Sequence, residues 1–291
     1  MLEVEAHFEN NRSYSGCCFL SLVELIRVRS LPLIKSEVFF YLCQRDSLET
    51  PFSRVEIKKA VWDCEGDRAP GPDGFSFKFF TAFWDLIEDD VVHFVQEFSH
   101  TNIIPKGCNS SFIALIPKVS NAKIVSDFRP ISLIGCQYKI ISKILVNRLS
   151  KVIGNLISPV QTAFLKGRNI LDGPLILNEV MAWYRQRKKA LMVFKVDFEK
   201  VFDSIRWDYL DLILEKHGFG LKWRTWISGC LKNARASVLI NGSLTAEFEL
   251  FRGLRQGDHL SPFLFILPME GLHAFMIKAD DIGLFRGACI G

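Results

Sequence analysis

The stretch Val193-Phe194-Lys195-Val196-Asp197-Phe198-Glu199-Lys200-Val201-Phe202-Asp203 ends an apolar run on an acid. An aromatic follows five residues later, and a further acid comes directly after it. A strand ending in Asp presents carboxylate oxygens, the ligands that hard divalent cations take. Such an acid, with no basic partner evident nearby, costs free energy unless a metal or hydrogen bonds compensate it. The same residues also fit a strand-to-helix turn in which Asp197 or Asp203 is a helix N-cap. Phosphoryl chemistry on two cations needs carboxylates from two places, so a second acidic segment has to be found.

Two other stretches have chemical potential. In Gly253-Leu254-Arg255-Gln256-Gly257-Asp258-His259-Leu260-Ser261-Pro262, Gly257 permits close backbone approach and Gln256 sets an amide beside it. A plain helix-leading turn would read the same way. In Ile116-Pro117-Lys118 and Phe128-Arg129-Pro130-Ile131-Ser132-Leu133, Lys118 and Arg129 on adjoining strands suit a triphosphate, with Arg bidentate.

The elements that must hold these groups are readable from Pro51 onward. Ser53 with Glu56 three residues later forms a capping-box pattern, with Ile57, Ala60 and Val61 inward. The run Arg68-Ala69-Pro70-Gly71-Pro72-Asp73-Gly74 forces a tight loop. A helix is expected over 77–98, a strand over 112–118 stopped by Pro117, and a loop over 126–132. Residues 136–157 show helical period. Ile140, Ile141, Ile144, Leu145, Leu149, Val152 and Ile153 share one face, and Lys139, Lys143, Arg148 and Lys151 lie elsewhere as a solvated basic face.

A helix over 174–186 leads into the basic knot Arg185-Gln186-Arg187-Lys188-Lys189. Residues 190–198 then read as a strand buried on both faces. A helix over 207–217 stops at Gly218. Residues 236–250 form a hairpin, with Asn241-Gly242 supplying a type I′ turn. Ser261 and Pro262 open a helix that Pro268 should kink. Residues 1–50 show no sustained period and are expected to pack poorly.

Composition bounds the answer. The chain has 291 residues and is 49% hydrophobic, enough for a core. Thirty-six basic residues against 32 acidic ones give a net charge of +4, compatible with nucleic acid, although on charge alone an ordinary soluble protein is the better reading. None of the eight cysteines forms a C-x-x-C pair, which speaks against a zinc module and for a reducing, intracellular compartment. The apolar runs 17–23 and 262–267 are too short to span a bilayer. The N-terminus lacks the features of a signal peptide.

In this order the stretches are specific. The chain resembles the reverse transcriptase of non-LTR, LINE-type retrotransposons, most closely the plant form. The likeness runs from Trp62-Asp63-Cys64 and Asp73-Gly74-Phe75 through the Ile-Pro-Lys and Arg-Pro-Ile-Ser-Leu stretches. It continues with Gln161-Thr162-Ala163-Phe164-Leu165-Lys166-Gly167-Arg168-Asn169-Ile170, the Asp197 strand and the Arg-Gln-Gly loop. The resemblance implies an α+β, right-hand polymerase fold, with fingers and a partial palm over 51–291, no thumb, and an ill-defined segment over 1–50.

It also implies roles. Asp197 would ligate catalytic Mg2+, helped by the Phe198 carbonyl. Lys118 and Arg129 would bind the triphosphate of a deoxynucleotide. Phe202 would exclude a ribose 2′-hydroxyl, Gln256 and Gly257 would line the nucleotide pocket, and Arg168 with its neighbours would touch the template. The partners would be an RNA template and a DNA primer, with no membrane, and the location nuclear if the chain works as in the family. One departure is small: the family loop reads Gln-Gly-Asp-Pro, and His259 replaces that proline, which loosens the loop but leaves Gln256 and Gly257 in place.

The second acidic segment in the family is aromatic-Ala-Asp-Asp on a hairpin tip. Here Ala279-Asp280-Asp281 follows Lys278, on a helix expected to run through Ile277 with no turn before it. These acids read as a helix end rather than as the missing ligands. The sequence therefore points to a polymerase domain by descent that is inactive as this chain. The alternatives are a non-catalytic nucleic-acid-binding fragment, using the helix at Lys139–Lys151 and the knot at Arg185–Lys189, or an inert product of a decayed element.

Overall fold

The computed structural model describes residues 2–8, 42–198 and 200–290. Side chains are described outside 2–8, 42–44, 194–198 and 201. The fold is mixed α/β, with seven strands and eleven helices among these residues, in two compact units.

The larger unit comprises residues 38–156 and 202–268. Its sheet has the order β3-β2-β5-β6, with β7 also on β5. Here β2 is Ser110–Pro117, β3 Phe128–Ile134, β5 Arg235–Ile240, β6 Ser243–Leu244 and β7 Phe248–Glu249. β2 is antiparallel to β3 and parallel to β5. The expected loop over 126–132 is therefore largely strand. Pro130 is accommodated because β3 is an edge strand, where a missing N–H is tolerated, and the strand placement expected for Arg129 holds. The hairpin forms as expected: Asn241 and Gly242 have φ of 49° and 82°, the paired positive values of a type I′ turn.

The helix Arg54–Trp62 packs on the helix Cys136–Leu149 through the buried Ile57, Ala60, Val61, Ile141, Ile144 and Leu145. Each buried Ile, Leu or Val among them contributes about 1.5–3 kcal/mol. Ser53 caps the first helix by accepting the Glu56 N–H at 3.2 Å. The Glu56 carboxylate, however, is turned to Arg148.

The basic face expected on the second helix is mostly not solvated. Lys139 and Arg148 are buried, and only Lys151 is exposed. The Arg148 guanidinium forks onto Glu56 with two bonds of 2.7 Å, donates to the carbonyls of Leu48, Thr50 and Pro51, and lies 4.4 Å from the Phe52 ring centre. It is a structural tie, which removes a central residue from any nucleic-acid surface on that helix.

Other boundaries shift. The helix expected over 77–98 is two helices, Phe77–Ala82 and Trp84–Thr101, interrupted at Phe83 (φ −111°, ψ 20°). The 136–157 helix stops at Leu149, and a short turn follows at Ile153–Leu156. The helix ending before Gly218 closes with two bonds, Gly218 N–H to the Glu215 carbonyl and Phe219 N–H to the Leu214 carbonyl, with Gly218 at φ 85°. The helix Leu221–Leu231, which buries Trp223, Trp226 and Ile227, was not anticipated.

The smaller unit comprises 1–37, 157–201 and 269–291. Its described strands, β1 (Leu2–Phe8) and β4 (Met192–Phe198), pair antiparallel with Leu2 opposite Phe198. β4 has one strand partner among the described residues and begins at an exposed Met192; the burial expected of 194–198 lies outside the described side chains. Part of the supposedly ill-defined 1–50 segment is its partner. The helix Asp172–Gln186 completes the described regular structure between them.

The helix Ser261–Asp281 continues past Pro268. It is long and apolar enough to cross a membrane, although the apolar run within the sequence had looked too short. Leu264, Ile266 and Leu267 are buried in the folded chain, and Glu270 accepts a hydrogen bond from the Ser158 N–H, as in a core helix.

Candidate functional site

In the larger unit, one strand gathers several of the expected residues. The β2–β3 register sets Arg129 opposite Ile116, two residues before Lys118. Diagonal neighbours of this kind stand about 7–8 Å apart. Arg129 is exposed and has no ion-pair or hydrogen-bond partner among the described residues. Lys118 donates its N–H to the Asp127 carbonyl at 2.7 Å and its Nζ to the Ser126 carbonyl at 3.0 Å. Asp127 closes the intervening loop by accepting the N–H groups of Lys123 and Ile124. Those donors hold its carboxyl below the usual range.

The Gly253–His259 loop lies against the same strand. The Gln256 carbonyl accepts the Ser132 N–H at 2.7 Å. Gly257 has φ of 107°, and a Cβ there would stand 3.0 Å from the Ser132 carbonyl oxygen, so the close approach expected of this glycine is present. Gln256 and Gly257 are both exposed. At the start of the loop, Gly253 N–H donates to the Ile205 carbonyl and Leu254 N–H to the Phe202 carbonyl, each at 2.7 Å. Phe202 is half-buried and stacks on Phe265 with ring centres 4.9 Å apart. Backbone bonds therefore link Phe202, Gln256, Gly257 and the Arg129 strand into one framework.

A buried polar network under the loop had not been anticipated. Arg255 donates to the carbonyls of Asn109 and Cys230 and lies 4.0 Å from the Tyr138 ring centre. The Tyr138 hydroxyl donates to Asp258 Oδ2 at 2.6 Å, and Asp258 Oδ1 accepts the Leu260 N–H. Burial pushes the Tyr138 phenol well up, against the pull of Arg255. The available signal was a tyrosine on an apolar helix face, which needs a partner for its hydroxyl.

His259, in place of the family's proline, has a buried Nδ1 with no hydrogen-bond partner among the described residues. Burial, together with Lys143, Arg68 and Lys139, pushes its pKa down, and Asp258 opposes them. The Pro-Gly-Pro-Asp-Gly turn also has a purpose. The Asp73 carboxylate accepts the Cys136 N–H at 2.5 Å, capping the helix that carries Tyr138.

Asp197 belongs to the smaller unit, in β4, where the backbone register sets it opposite Glu3. The Asp197 and Phe198 side chains lie outside the described ones. Arg168 is half-buried and donates to the carbonyls of Ile157, Ser158 and Gln161. In the knot, Arg187 and Lys189 lie 4.0 and 4.9 Å from the Trp183 ring centre.

Asp280 and Asp281 fall in the last turn of the helix Ser261–Asp281, as the sequence implied. The Asp280 carboxylate accepts the Gly287 N–H at 3.1 Å. Among the described residues, no group of three or more His, Cys, Asp or Glu side chains is arranged to hold a metal.

Comparison with known proteins agrees with the residues. Residues 116–285 match the family described as reverse transcriptase (RNA-dependent DNA polymerase). The chain is 31% identical over 227 residues to the transposon TX1 uncharacterized 149 kDa protein of Xenopus laevis, covering 78% of this chain and 17% of that one. It is 26% identical over 234 residues to the retrovirus-related Pol polyprotein from type-1 retrotransposable element R2 of Popillia japonica, covering 80% and 32%. To that from element R1 of Bradysia coprophila it is 24% identical over 231 residues, covering 77% and 22%. The chain spans at most about a third of the length of these relatives. It belongs to the reverse transcriptase (RNA-dependent DNA polymerase) family, in the branch carried by non-LTR retrotransposons.

Proposed function

We propose that this chain is the fingers and part of the palm of an RNA-directed DNA polymerase. Its larger unit would bind the deoxynucleotide. The observation that carries this reading is the seating of the Gln256-Gly257 loop on β3, the strand that also bears the exposed Arg129. Arg129 is the bidentate partner of the triphosphate, with Lys118 as a second cation once its bond to the Ser126 carbonyl yields. Gln256 and Gly257 line the pocket, and the close approach of Gly257 leaves backbone near the nucleotide. Phe202, held through its carbonyl to Leu254 and through its ring to Phe265, is the bulk that excludes a ribose 2′-hydroxyl.

Asp197 and the Phe198 carbonyl are the proposed ligands of Mg2+, which when bound neutralises charge on the phosphates. As a 291-residue polypeptide the chain synthesises negligible DNA. Asp280 and Asp281, in a helical turn, do not reproduce the family's acidic hairpin. Losing one ligand set from such a site removes most of its electrostatic stabilisation.

Fluorescence titration with a methylanthraniloyl-labelled deoxynucleoside triphosphate tests the nucleotide side. Arg129→Gln should weaken binding about tenfold or more, the worth of a charged hydrogen bond. Phe202→Ala should narrow the preference for deoxy- over ribonucleotide. Unchanged binding in Arg129→Gln would count against this pocket.

A further inference from the structure

Five phenylalanines fall between Phe75 and Phe83, and the core takes two of them, Phe77 and Phe80. The other three reach solvent. Phe75 is 44% and Phe83 47% exposed, and Phe79 is half-buried. Their rings form a ladder, with centres 4.6 Å apart from Phe75 to Phe79 and 4.9 Å from Phe79 to Phe83. Leu86, 79% exposed, extends the row by one helical turn.

The ladder is held from below. Phe80 meets Phe75 and Phe79 edge-on, with ring centres 6.5 and 6.0 Å apart. The Asp73 carboxylate accepts the Phe75 N–H at 3.4 Å, and the Phe75 carbonyl accepts the Cys136 thiol at 3.2 Å. Exposed apolar side chains scattered singly are ordinary, whereas a contiguous row marks a surface for interaction. A row fixed in advance costs little ordering on binding.

Its flank is acidic. From Phe75 to Thr101 the chain has Asp85, Glu88, Asp89, Asp90 and Glu97 against one lysine, Lys78, which is paired with Asp67. Arg54 engages Glu88 and Asp89. Asp85 and Asp90 are exposed and have no ion pair among the described residues.

We propose that this ladder docks a basic amphipathic helix of a second protein, its apolar side chains on the rings and its Lys or Arg residues over Asp85 and Asp90. A helix rises about 5.4 Å per turn, close to the ring spacing, so residues one turn apart meet successive rings. Acids at the rim attract cations and repel phosphates. The rings already touch one another and leave no slot for a base, so a nucleic acid is the poorer occupant. The inference is independent of the nucleotide pocket, which is built on β3 and the Gly253–His259 loop.

Fluorescence anisotropy tests it, using the 291-residue chain and two labelled model peptides of amphipathic helical pattern, one of leucine and lysine and one of leucine and glutamate. The leucine–lysine peptide should bind and the leucine–glutamate peptide should not. Phe83→Ala should weaken binding about tenfold or more, and Leu86→Ala, a change on a side chain largely outside the fold, about fivefold. Val125→Ala removes an equally exposed apolar group from the β2–β3 loop and should bind like the wild type. Asp90→Asn should weaken binding about two- to fivefold at low salt and flatten its salt dependence.

Affinity unchanged in both Phe83→Ala and Leu86→Ala, or lowered as much in Val125→Ala, overturns the ladder as the site. Equal affinity for the two peptides overturns the basic partner, and binding of neither overturns the inference. Binding of labelled oligouridylate that Phe83→Ala weakens would give the face to nucleic acid. A wild type that sediments as a dimer, with Phe83→Ala a monomer, would give it to a second copy, and either result overturns the proposal. Nucleotide binding should be the same in Phe83→Ala as in the wild type, so failure here leaves the nucleotide pocket standing.

Discussion

The Gln256 carbonyl accepts the Ser132 backbone N–H at 2.7 Å, and this bond seats the Gly253–His259 loop on the edge strand that carries Arg129. An edge strand has unpaired backbone groups, and here the Gly253–His259 loop uses one of them. The position of Gln256 relative to Arg129 is therefore set by backbone, whatever side chains surround it.

Gly257→Ala should be costly because of that seating. The residue has φ of 107°, and its new Cβ would meet the Ser132 carbonyl oxygen at 3.0 Å. A loss of about 1–3 kcal/mol is expected in urea unfolding, with weakened nucleotide binding. Wild-type stability in Gly257→Ala would show that the loop is not held against β3.

Arg148→Ala should destabilise the chain by about 3–5 kcal/mol, the cost of breaking a buried pair. Glu56 and three backbone carbonyls lose their donor together. Arg148→Lys should recover only part of this, since an ammonium cannot form the two-pronged bond. Urea unfolding of both variants measures it. A stable Arg148→Ala with weakened RNA binding would instead return the residue to a nucleic-acid surface.

These two sites show what could be read from the sequence. Gly257 and the Asn241-Gly242 turn were legible because the signal is local: a residue type that tolerates positive φ. The burial of Arg148 was not, because its partner lies 92 residues away and a basic residue on an amphipathic helix reads as solvated. The 126–132 stretch read both as a loop and, at Arg129, as a strand beside Lys118; it is largely strand, its Pro130 tolerated at the sheet edge. The Leu221–Leu231 helix did have a signal, Trp223, Trp226, Ile227 and Cys230 at helical spacing. The Tyr138–Asp258 bond joins residues 120 apart and shows only in three dimensions.

His259 should make stability pH-dependent. Burial depresses its pKa, so the unfolded chain takes up the proton more readily. Its contribution is fully present above the ordinary histidine range and is lost as pH falls through the depressed folded value. His259→Gln should therefore flatten the acid side of the stability profile, measured as urea midpoints at about pH 7.5, 6.5 and 5.5. Parallel profiles for wild type and variant would mean that His259 titrates freely.

The chain belongs to the reverse transcriptase family, and we propose that Asp280 and Asp281, in a helical turn, do not act as its second acidic ligands. Template-primer extension with Mg2+, deoxynucleotides and an RNA template tests it most directly, comparing the wild type with Asp197→Asn. Incorporation at background in both proteins is the predicted result. Robust extension by the wild type, abolished in Asp197→Asn, would contradict the account and show that the second set of ligands is already within this polypeptide.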